Sequence, residues 1–479
     1  MLAPLWAEPE GMSDMAGSVR MMGRLSWLAA AGCLLAGGAP AGAADLGGDC
    51  CADLEERIAE LEATTARKGN RKVSLEVSGH INEAVMWWDD GLESNVYQGT
   101  NDTARSRVRF KGSAKTADGW KAGYLLEFGI RTNRLPRTDA DLPSASPGTP
   151  DLRHSMWFIE SERYGKVSMG QTSQASDGVT EVTTANTNHF ARPSLSKWNG
   201  NFDVVIDGDR KANEWRDFMA QSGASGDNVP GEGDRRNLVR YDTAEIAGFI
   251  ASAAWGEDDF WDLSLRYKGE FAGFKLAAAI GYAEYSDANL RPSPALGSVP
   301  AGSASNLRGC SSIGGVDVDC SDLGLSASIM HSGTGLFVTG AYGLRDDKNR
   351  SAIFGQSVDD TDDFWSVQAG IERKWISLGK TTVYGEYAEF NTGAGITGAG
   401  TVATFSGIDA TRTRQVGSDI SYWGLGINQH LEAAAMDLYL AYRHHEGDVT
   451  LGAAADLSDT ASYSFESLDI VLGGAMIKF

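Results

Sequence analysis

The chain has 479 residues and carries 42 Lys and Arg against 64 Asp and Glu, so its formal net charge is −22. This acidic balance argues against nucleic acid as a partner, because phosphate binding needs a basic surface. Hydrophobic residues make up 42% of the sequence, which is too many for a disordered acidic tail, and they are too scattered for a bundle of membrane helices.

The N-terminus has the pattern of an export signal. Arg20 and Arg24 precede an uncharged apolar stretch at residues 25–35, and the small residues Ala-Gly-Ala follow at positions 41–43. This order of basic, apolar and small residues is typical of a secretory signal peptide, and the apolar stretch is too short to span a membrane as a helix. Residues 1–43 are therefore predicted to be a signal peptide, with a true start later than residue 1.

A short heptad pattern follows the signal. Four residues within the segment CCADLEERIAELEATTARK recur at intervals of four, three and four: Leu54, Ile58, Leu61 and Thr65. Such spacing places one seam along a helix, as in a coiled coil. A helix this short is marginal alone in water, so it either self-associates or packs as an ordinary capping helix. We predict a coiled-coil-like periplasmic helix within residues 44–70.

After this helix the hydrophobic period changes to two. At residues 105–111 the odd positions are basic, and at residues 120–130 the even positions are apolar. Because alternate residues of a strand face opposite sides, each strand has one polar and one apolar face. Aromatic pairs such as Trp87-Trp88 lie at strand ends, where a lipid interface favours them. Most aromatic residues are predicted to face lipid rather than a lumen.

This period predicts sixteen strands: 72–88, 103–116, 119–131, 153–162, 165–171, 235–242, 247–255, 261–268, 273–284, 321–331, 334–344, 363–375, 379–390, 416–428, 433–445 and 464–479. Tight links alternate with mostly long ones. Short turns on one rim and long loops on the other are typical of outer-membrane barrels. The predicted fold is all-β, with residues 71–479 forming a 16-stranded antiparallel transmembrane β-barrel after a short N-terminal periplasmic helix.

Three features together resemble a known family: the exported barrel pattern, the terminal Phe479, and the helix followed by KVSLEVSGHINEAVMWWDD. The chain resembles the Gram-negative porins and is most similar to those of alphaproteobacteria. The resemblance implies a homotrimer in the cell outer membrane, in contact with lipid and lipopolysaccharide. It also implies that the third external loop of each barrel folds inward to narrow a water-filled channel.

The longest connection, residues 172–234, is the candidate constriction loop, since connections of this length are uncommon unless they are functional. Its candidate pore-lining carboxylates are Asp177, Glu181, Asp203 and Asp207, with Asp209 beside them. The basic residues predicted to face them across the lumen are Arg105, Arg107, Arg109, Lys111 and Arg131. The alternation of side chains along the strands predicts that five further residues face the lumen: Lys121, Glu127, Arg266, Lys268 and Arg443. Opposed acidic and basic walls would orient polar solutes and exclude apolar ones.

Two cysteines are candidates for a disulfide. Cys310 and Cys320 enclose a short Gly- and Ser-rich segment, and an oxidising compartment would permit them to pair. Cys50 and Cys51 are adjacent, so a bond between them would be strained, and pairing between protomers is the alternative.

The leading functional prediction is passive diffusion of small hydrophilic solutes and ions through the barrel. A substrate-specific channel is one alternative and would need aromatic residues along the lumen. A structural tether between the membrane and the cell wall is the other. The usual hydrolase, zinc-protease and nucleotide-binding motifs are missing from the sequence, so neither catalysis, a metal site nor a cofactor is predicted.

Overall fold

The structure is a computed structural model that describes residues 72–132, 135, 150–219, 229–256, 260–286, 319–395 and 404–479. The predicted signal peptide, the predicted periplasmic helix, and Cys50 and Cys51 lie outside these ranges. The described helices are short: α1 (Ser196–Asn199), α2 (Arg350–Phe354), and 3-10 turns at Asp102–Ala104, Trp215–Phe218 and Glu432–Ala434. None of the helices in the described ranges is long and apolar enough to cross a membrane.

The strands in the described ranges, in chain order, are β1 (Glu76–Asp89), β2 (Ser94–Thr100), β3 (Arg107–Ala117), β4 (Trp120–Gly129), β5 (Asp151–Ser161), β6 (Gly165–Ser173), β7 (Asp203–Ile206), β8 (Asp209–Glu214), β9 (Arg235–Asp242), β10 (Phe249–Gly256), β11 (Phe260–Phe271), β12 (Phe274–Ser286), β13 (Asp319–His331), β14 (Leu336–Asp347), β15 (Thr361–Ile376), β16 (Gly379–Thr392), β17 (Arg412–Leu431), β18 (Met436–Ala453), β19 (Asp456–Ser464) and β20 (Leu468–Lys478).

Sixteen of these strands form one closed antiparallel barrel, which confirms the predicted strand number and fold. Around the barrel the order is β1, β3 to β6, β9 to β18, and β20, each paired with the next. The barrel closes where β20 pairs with β1, with Lys478 opposite His80. The backbones of Gly79 and Phe479 add two hydrogen bonds of 2.9 and 3.0 Å at this seam. Closure pairs both edges of each of the sixteen barrel strands, as a membrane-spanning sheet requires.

The links between barrel strands follow the predicted alternation. The turns on one rim have two to six residues, whereas most links on the other rim are far longer. In the β11–β12 turn, Ala272 and Gly273 both have positive φ, at 50° and 81°. Positive φ at both central residues matches the twist of the flanking strands. β1 begins and β20 ends at the short-turn rim.

Alternation of exposure separates the two faces of the wall. On β11, Phe260 and Asp262 are buried and face inward, whereas Trp261 and Leu263 are exposed and face outward. Exposed aromatic side chains lie near both ends of the strands. Those near the short-turn rim include Trp120, Tyr164, Phe249 and Phe274, and those near the long-loop rim include Trp87, Trp255, Trp261 and Trp365. This distribution matches the two aromatic belts of a barrel in a bilayer.

The largest hydrophobic core lies inside the barrel. Aromatic residues of the connection between β6 and β9 pack there, each at most 1% exposed: Phe190, Trp198, Phe202, Trp215 and Phe218. They cover inward-facing tyrosines of β16, β17 and β18, namely Tyr384, Tyr422 and Tyr439. A substantial set of aromatic side chains therefore faces inward, in addition to the exposed aromatic residues of the outer wall. Because the connection covers these rings, they do not form an exposed lumenal ladder.

Four strands were not predicted from the sequence. β2 pairs with β1 from Glu83 to Asp89, and β19 pairs with β18 from Asp448 to Ala453, so both extend the wall at the long-loop rim. β7 and β8 form a separate two-stranded hairpin within the connection. Its turn contains Asp207 and Gly208, with φ of 53° and 73°. Asp-Gly between two apolar or alternating runs is a hairpin signal that could have been recognised in the sequence.

Candidate functional site

The connection between β6 and β9 folds into the barrel and follows its inner wall. Near its start, Ser176 donates from its backbone and its hydroxyl to Asp262 on β11, both at 2.7 Å. Further along, the Thr184 backbone donates to Ser328 on β13 at 2.9 Å. The Thr187 hydroxyl then donates to Gln368 on β15 at 2.7 Å. Each contact satisfies a buried polar group of the wall, so the connection replaces the water that would otherwise hydrate it.

The tip of the connection reaches the opposite part of the barrel. The rings of Phe190 and Tyr439 on β18 stack with centroids 4.7 Å apart. Arg443, also on β18, donates to the carbonyls of Ser194 and Arg192 at 3.1 and 2.7 Å. Arg443 has the inward orientation that parity predicted, but its side chain is fully buried. It therefore holds the connection rather than facing solvent.

The inner face of β3 to β5 is basic around one buried carboxylate. Glu127 on β4 pairs with Arg109 at 2.5 Å and with Arg153 at 2.6 Å, and it lies 3.8 Å from Arg107. The Glu127 side chain is fully buried, whereas Arg109 keeps 24% of its side chain exposed. Three guanidinium groups share one carboxylate, so this wall carries an excess of positive charge.

Arg105 and Arg131 lie toward the long-loop rim from this group. β3 begins at Arg107, so Arg105 belongs to the turn at residues 101–106 and not to the predicted strand. Arg105 pairs with Asp151 at 2.9 Å, and Arg131 pairs with Asp102 at 2.8 Å. Burial, and then repulsion by Arg153 and Arg131, lowers the pKa of Arg105 to about 9. Arg105 is thus held among like charges.

Two of the predicted carboxylates, Asp177 and Glu181, lie on the connection close to arginines. Asp177 lies 3.9 Å from Arg235 at the start of β9, and Glu181 pairs with Arg192 at 2.8 Å. Arg235 also donates to the ring of His154 at 3.3 Å, and His154 directly follows Arg153. Through Arg235 and His154, the structure therefore brings Asp177 close to the end of the basic wall.

Glu232, near the end of the connection, is a third carboxyl group beside Asp177 and Glu181. It accepts hydrogen bonds from the backbone amides of Gly178 and Thr180 and from the Thr180 hydroxyl. It thereby joins the two ends of the inward-folded segment. Burial, followed by repulsion from Glu181 and Asp177, raises the pKa of Glu232 to about 8.

The remaining predicted carboxylates lie elsewhere on the connection. Asp203 is in β7, Asp207 is in the turn of the β7–β8 hairpin, and Asp209 begins β8. This hairpin packs at the long-loop rim, where Arg210 pairs with Asp90 at 2.6 Å. The structure thus separates these three residues from the cluster around Asp177 and Glu181.

Two further predictions concern Lys111 and the cysteines. Lys111 lies on β3, on the same face as Arg109 and two positions closer to the short-turn rim. Cys320, at the start of β13, is disulfide-bonded. Its predicted partner Cys310 lies outside the described residues. Within the described ranges, no group of three or more His, Cys, Asp or Glu side chains is arranged to hold a metal ion.

Arg153, Arg192, Arg235 and Glu232 were not among the predicted site residues. Arg153 was missed because a register shift between β4 and β5 breaks the alternation, so that Arg153 and His154 are both buried. Such a bulge places two consecutive side chains where one is expected. Arg192 and Glu232 lie in irregular backbone, where no periodicity indicates orientation.

A family model described as Gram-negative porin matches residues 28–466. Among solved structures, the chain is similar to OmpT, an outer membrane protein of Vibrio cholerae, with 11% identity and a TM-score of 0.47 over 86% of this chain and 99% of that one. It is also similar to the outer membrane channel DcaP of Acinetobacter baumannii, with 11% identity and a TM-score of 0.44 over 86% and 99%.

A third similar structure is Salmonella typhi OmpF in complex with daunomycin, with 10% identity and a TM-score of 0.43 over 85% of this chain and 98% of that one. No match was found among curated protein sequences. The family match covers most of the chain, and the fold is the closed barrel that the sequence predicted. The chain belongs to the Gram-negative porin family, whose members are outer-membrane channels for passive diffusion.

Proposed function

We propose that this porin has a constriction with a net positive charge and prefers small hydrophilic anions. The constriction wall consists of Arg105, Arg107, Arg109, Lys111, Arg131 and Arg153, and the inner side of the connection contributes Asp177 and Glu181. Asp203 and Asp207 belong to the external vestibule. The observation that carries this proposal is the sharing of Glu127 among Arg107, Arg109 and Arg153.

The carboxylates of the connection do not offset this positive charge. Asp177 and Glu181 each lie beside an arginine of their own, Arg235 and Arg192. Glu232 has a pKa of about 8 and is therefore mostly neutral at pH 7. A permeating anion at the constriction thus meets more positive than negative charge, although the whole chain carries −22. Selectivity depends on charges along the ion path rather than on net charge.

Charge reversal at Arg109 tests this proposal. In a planar bilayer with a salt gradient, the wild-type reversal potential should indicate preference for chloride over potassium. Arg109→Glu changes the local charge by two units, which at about 5 Å in a water-like dielectric shifts the energy of a passing ion by about 1.7 kcal/mol. Because this energy disfavours chloride and favours potassium, the chloride-to-potassium permeability ratio should fall by roughly two orders of magnitude, less the screening by salt.

Lys374→Glu is the matched control, because it makes the same charge change at a half-exposed side chain near the short-turn rim. It should leave the permeability ratio close to the wild-type value. A wild-type channel that prefers potassium would contradict the proposal, and so would an equal response to both substitutions.

We also propose that the protein is a homotrimer, in keeping with its sequence resemblance to the porins of alphaproteobacteria. Glu83 supports this, because it lies on the outward face of β1 between the exposed residues Ile81 and Val85. Hydroxyl groups of Thr100 and Thr132 donate to it at 2.9 and 3.1 Å. A carboxylate facing hydrocarbon at this depth costs free energy even when hydrogen-bonded. A neighbouring protomer against β20, β1 and β3 would remove that cost.

A photo-crosslinking amino acid at Val85 tests the trimer. Val85 and Leu265 on β11 are similarly exposed on the outer wall, at 48% and 44%, but they lie on different parts of the barrel. Irradiation of membranes should give dimer and trimer bands for the probe at position 85 and only monomer for position 265. Equal patterns from the two positions would argue against this interface.

The outward aromatic belts support contact with outer-membrane lipid and lipopolysaccharide over the rest of the wall. We further propose that residues 1–43 are removed as a signal peptide and that residues 44–70 form a periplasmic helix. These assignments rest on the N-terminal sequence pattern alone. N-terminal sequencing of the protein purified from outer membranes would test the cleavage position.

A further inference from the structure

A second segment folds into the barrel, in addition to the long connection. β1 pairs with β3 only from Glu76 to His80, and with β2 from Glu83 to Asp89. Between β2 and β3 the chain leaves the wall and forms the buried 3-10 turn Asp102–Ala104. Residues 101–106, here called the inward turn, carry Asp102 and Arg105 to the inside of the barrel.

Asn82 lies on β1 where the neighbour of β1 changes from β3 to β2. Its side-chain nitrogen donates to the carbonyl of Ala104 in the inward turn at 2.9 Å. The same nitrogen donates to the carbonyl of His189 in the connection at 3.2 Å. Its backbone amide donates to the Ser106 hydroxyl at 2.9 Å. One fully buried side chain therefore binds two segments that are far apart in the sequence.

Tyr439 completes this arrangement from β18. Its hydroxyl donates to the side-chain oxygen of Asn82 at 2.7 Å and accepts from the side chain of Asn101 at 2.9 Å. Its ring stacks on Phe190 of the connection. Asn82 and Tyr439 thus contact both segments, and every polar atom of the Asn82 side chain has a partner. Fully satisfied buried networks of this kind favour one arrangement of the groups they join.

We propose that Asn82 is a positioning residue that locks the inward turn to the tip of the connection, so that the two segments close the constriction as one unit. This inference rests on the proposed constriction, of which Arg105 is a part. Asn82 acts through Arg105 and the connection, and it sets both the width of the channel and the place of Arg105 in it.

The chemistry of the side chain explains why asparagine serves here. An amide offers two donor hydrogens and an acceptor oxygen at once, which matches two carbonyls and one hydroxyl. Leucine has similar size but would leave the carbonyls of Ala104 and His189 buried without this donor, which carries a desolvation penalty. Serine keeps one hydroxyl but is too short to reach both carbonyls.

Liposome swelling with uncharged sugars of increasing size is the first test. Asn82→Leu should admit a trisaccharide about threefold faster than wild type, because the two segments separate and the aperture widens. Asn82→Ser is a second variant with a smaller perturbation and should show the same direction. Heat-modifiable mobility on gels identifies preparations with a folded barrel. An unchanged size cut-off in both folded variants would overturn the proposal.

Asn428→Leu is the matched control. Asn428 is also a buried, inward-facing asparagine, and it donates to the connection at the carbonyl of Asn186, at 3.0 Å. The same side-chain nitrogen also donates to Asp437 at 3.2 Å, and neither of these contacts involves the inward turn. The substitution Asn428→Leu should therefore loosen the connection without displacing Arg105.

A double-mutant comparison separates positioning from general loosening. Arg105→Gln should lower the chloride preference of wild type and of Asn428→Leu to the same extent. In Asn82→Leu the effect of Arg105→Gln should fall to less than half, because Arg105 has already left its place. Additive effects in the Asn82→Leu background would overturn the proposal. Sugar cut-offs do not depend on ion preference, so a channel without anion preference would contradict the proposed function and leave the sugar test of Asn82 valid.

Discussion

Arg443→Met should detach the tip of the connection from the barrel wall and raise the single-channel conductance. Arg443 pairs with Glu386 at 2.8 Å and donates to two carbonyls of the connection. Its guanidinium group also lies over the rings of Trp198 and Tyr422, at 4.3 and 4.1 Å from their centroids. Methionine approximates the length of the side chain but provides neither the charge nor the donors.

Removing one partner of a buried ion pair costs about 3–5 kcal/mol, because the remaining charge stays buried without compensation. Cation–π contacts in a desolvated site add up to about 2 kcal/mol. We therefore expect Arg443→Met to unfold at a clearly lower denaturant concentration. We also expect roughly a doubling of conductance as the lumen widens. Chemical denaturation and planar-bilayer recordings measure the two effects separately.

Arg345→Met is the control for this experiment. Arg345 pairs with Asp322 at 2.7 Å, and both side chains are at most 2% exposed. The loss of this pair should lower stability to a comparable extent while the conductance stays unchanged. Adding Glu386→Leu to Arg443→Met should recover part of the stability without restoring the wild-type conductance. A normal conductance for Arg443→Met would show that Arg443 does not anchor the connection.

The chloride preference of the channel should decrease as the pH rises through about 8. Glu232 is the cause, because its pKa is raised to about 8 by burial and by the neighbouring Glu181 and Asp177. Below that pH the carboxyl group is neutral, and above it a negative charge is added beside Asp177. Reversal potentials between pH 6 and pH 9 should show this transition. In Glu232→Gln the transition should be missing, because an amide does not titrate.

The carboxyl group of Glu232 should also make the connection less stable at high pH. Since the pKa of Glu232 in the folded protein lies above its ordinary value of 4.5, the folded state retains a proton that the unfolded state has lost. Its stabilising contribution is complete below about pH 4.5 and is lost as the pH rises through about 8. Limited proteolysis of the connection at pH 6 and pH 9 can measure this, with Glu232→Gln as the matched variant. Equal pH dependence in both proteins would assign the effect to other groups.

The barrel strands could be predicted because their signal is local. A wall with lipid on one side and protein or water on the other needs alternating side chains, and this alternation is visible in segments such as 120–130. The unpredicted strands β2, β7, β8 and β19 lie within the long connections, which do not cross the membrane. No lipid face imposes a pattern on them.

The candidate site was only partly predictable for a different reason. Arg107, Arg109 and Glu127 could be assigned to the inner face by parity, because they belong to regular strands. The roles of Asn82 and Arg443 depend on carbonyl groups more than 100 positions away, at His189 and Ser194. Which backbone carbonyls arrive there depends on how the connection folds, and irregular backbone has no period from which to predict this.

The sequence by itself determined the closed 16-stranded barrel, its short-turn and long-loop rims, and the strand faces that carry charge. It did so because each barrel strand must alternate lipid-facing and inward-facing side chains along its own length. Only the tertiary structure decided that the connection fills part of the lumen with an aromatic core. It also decided that three arginines share Glu127, and that Asn82 joins two inward segments. These features arise from packing between distant parts of the chain, where shape and hydrogen-bond partners matter and local pattern carries no information.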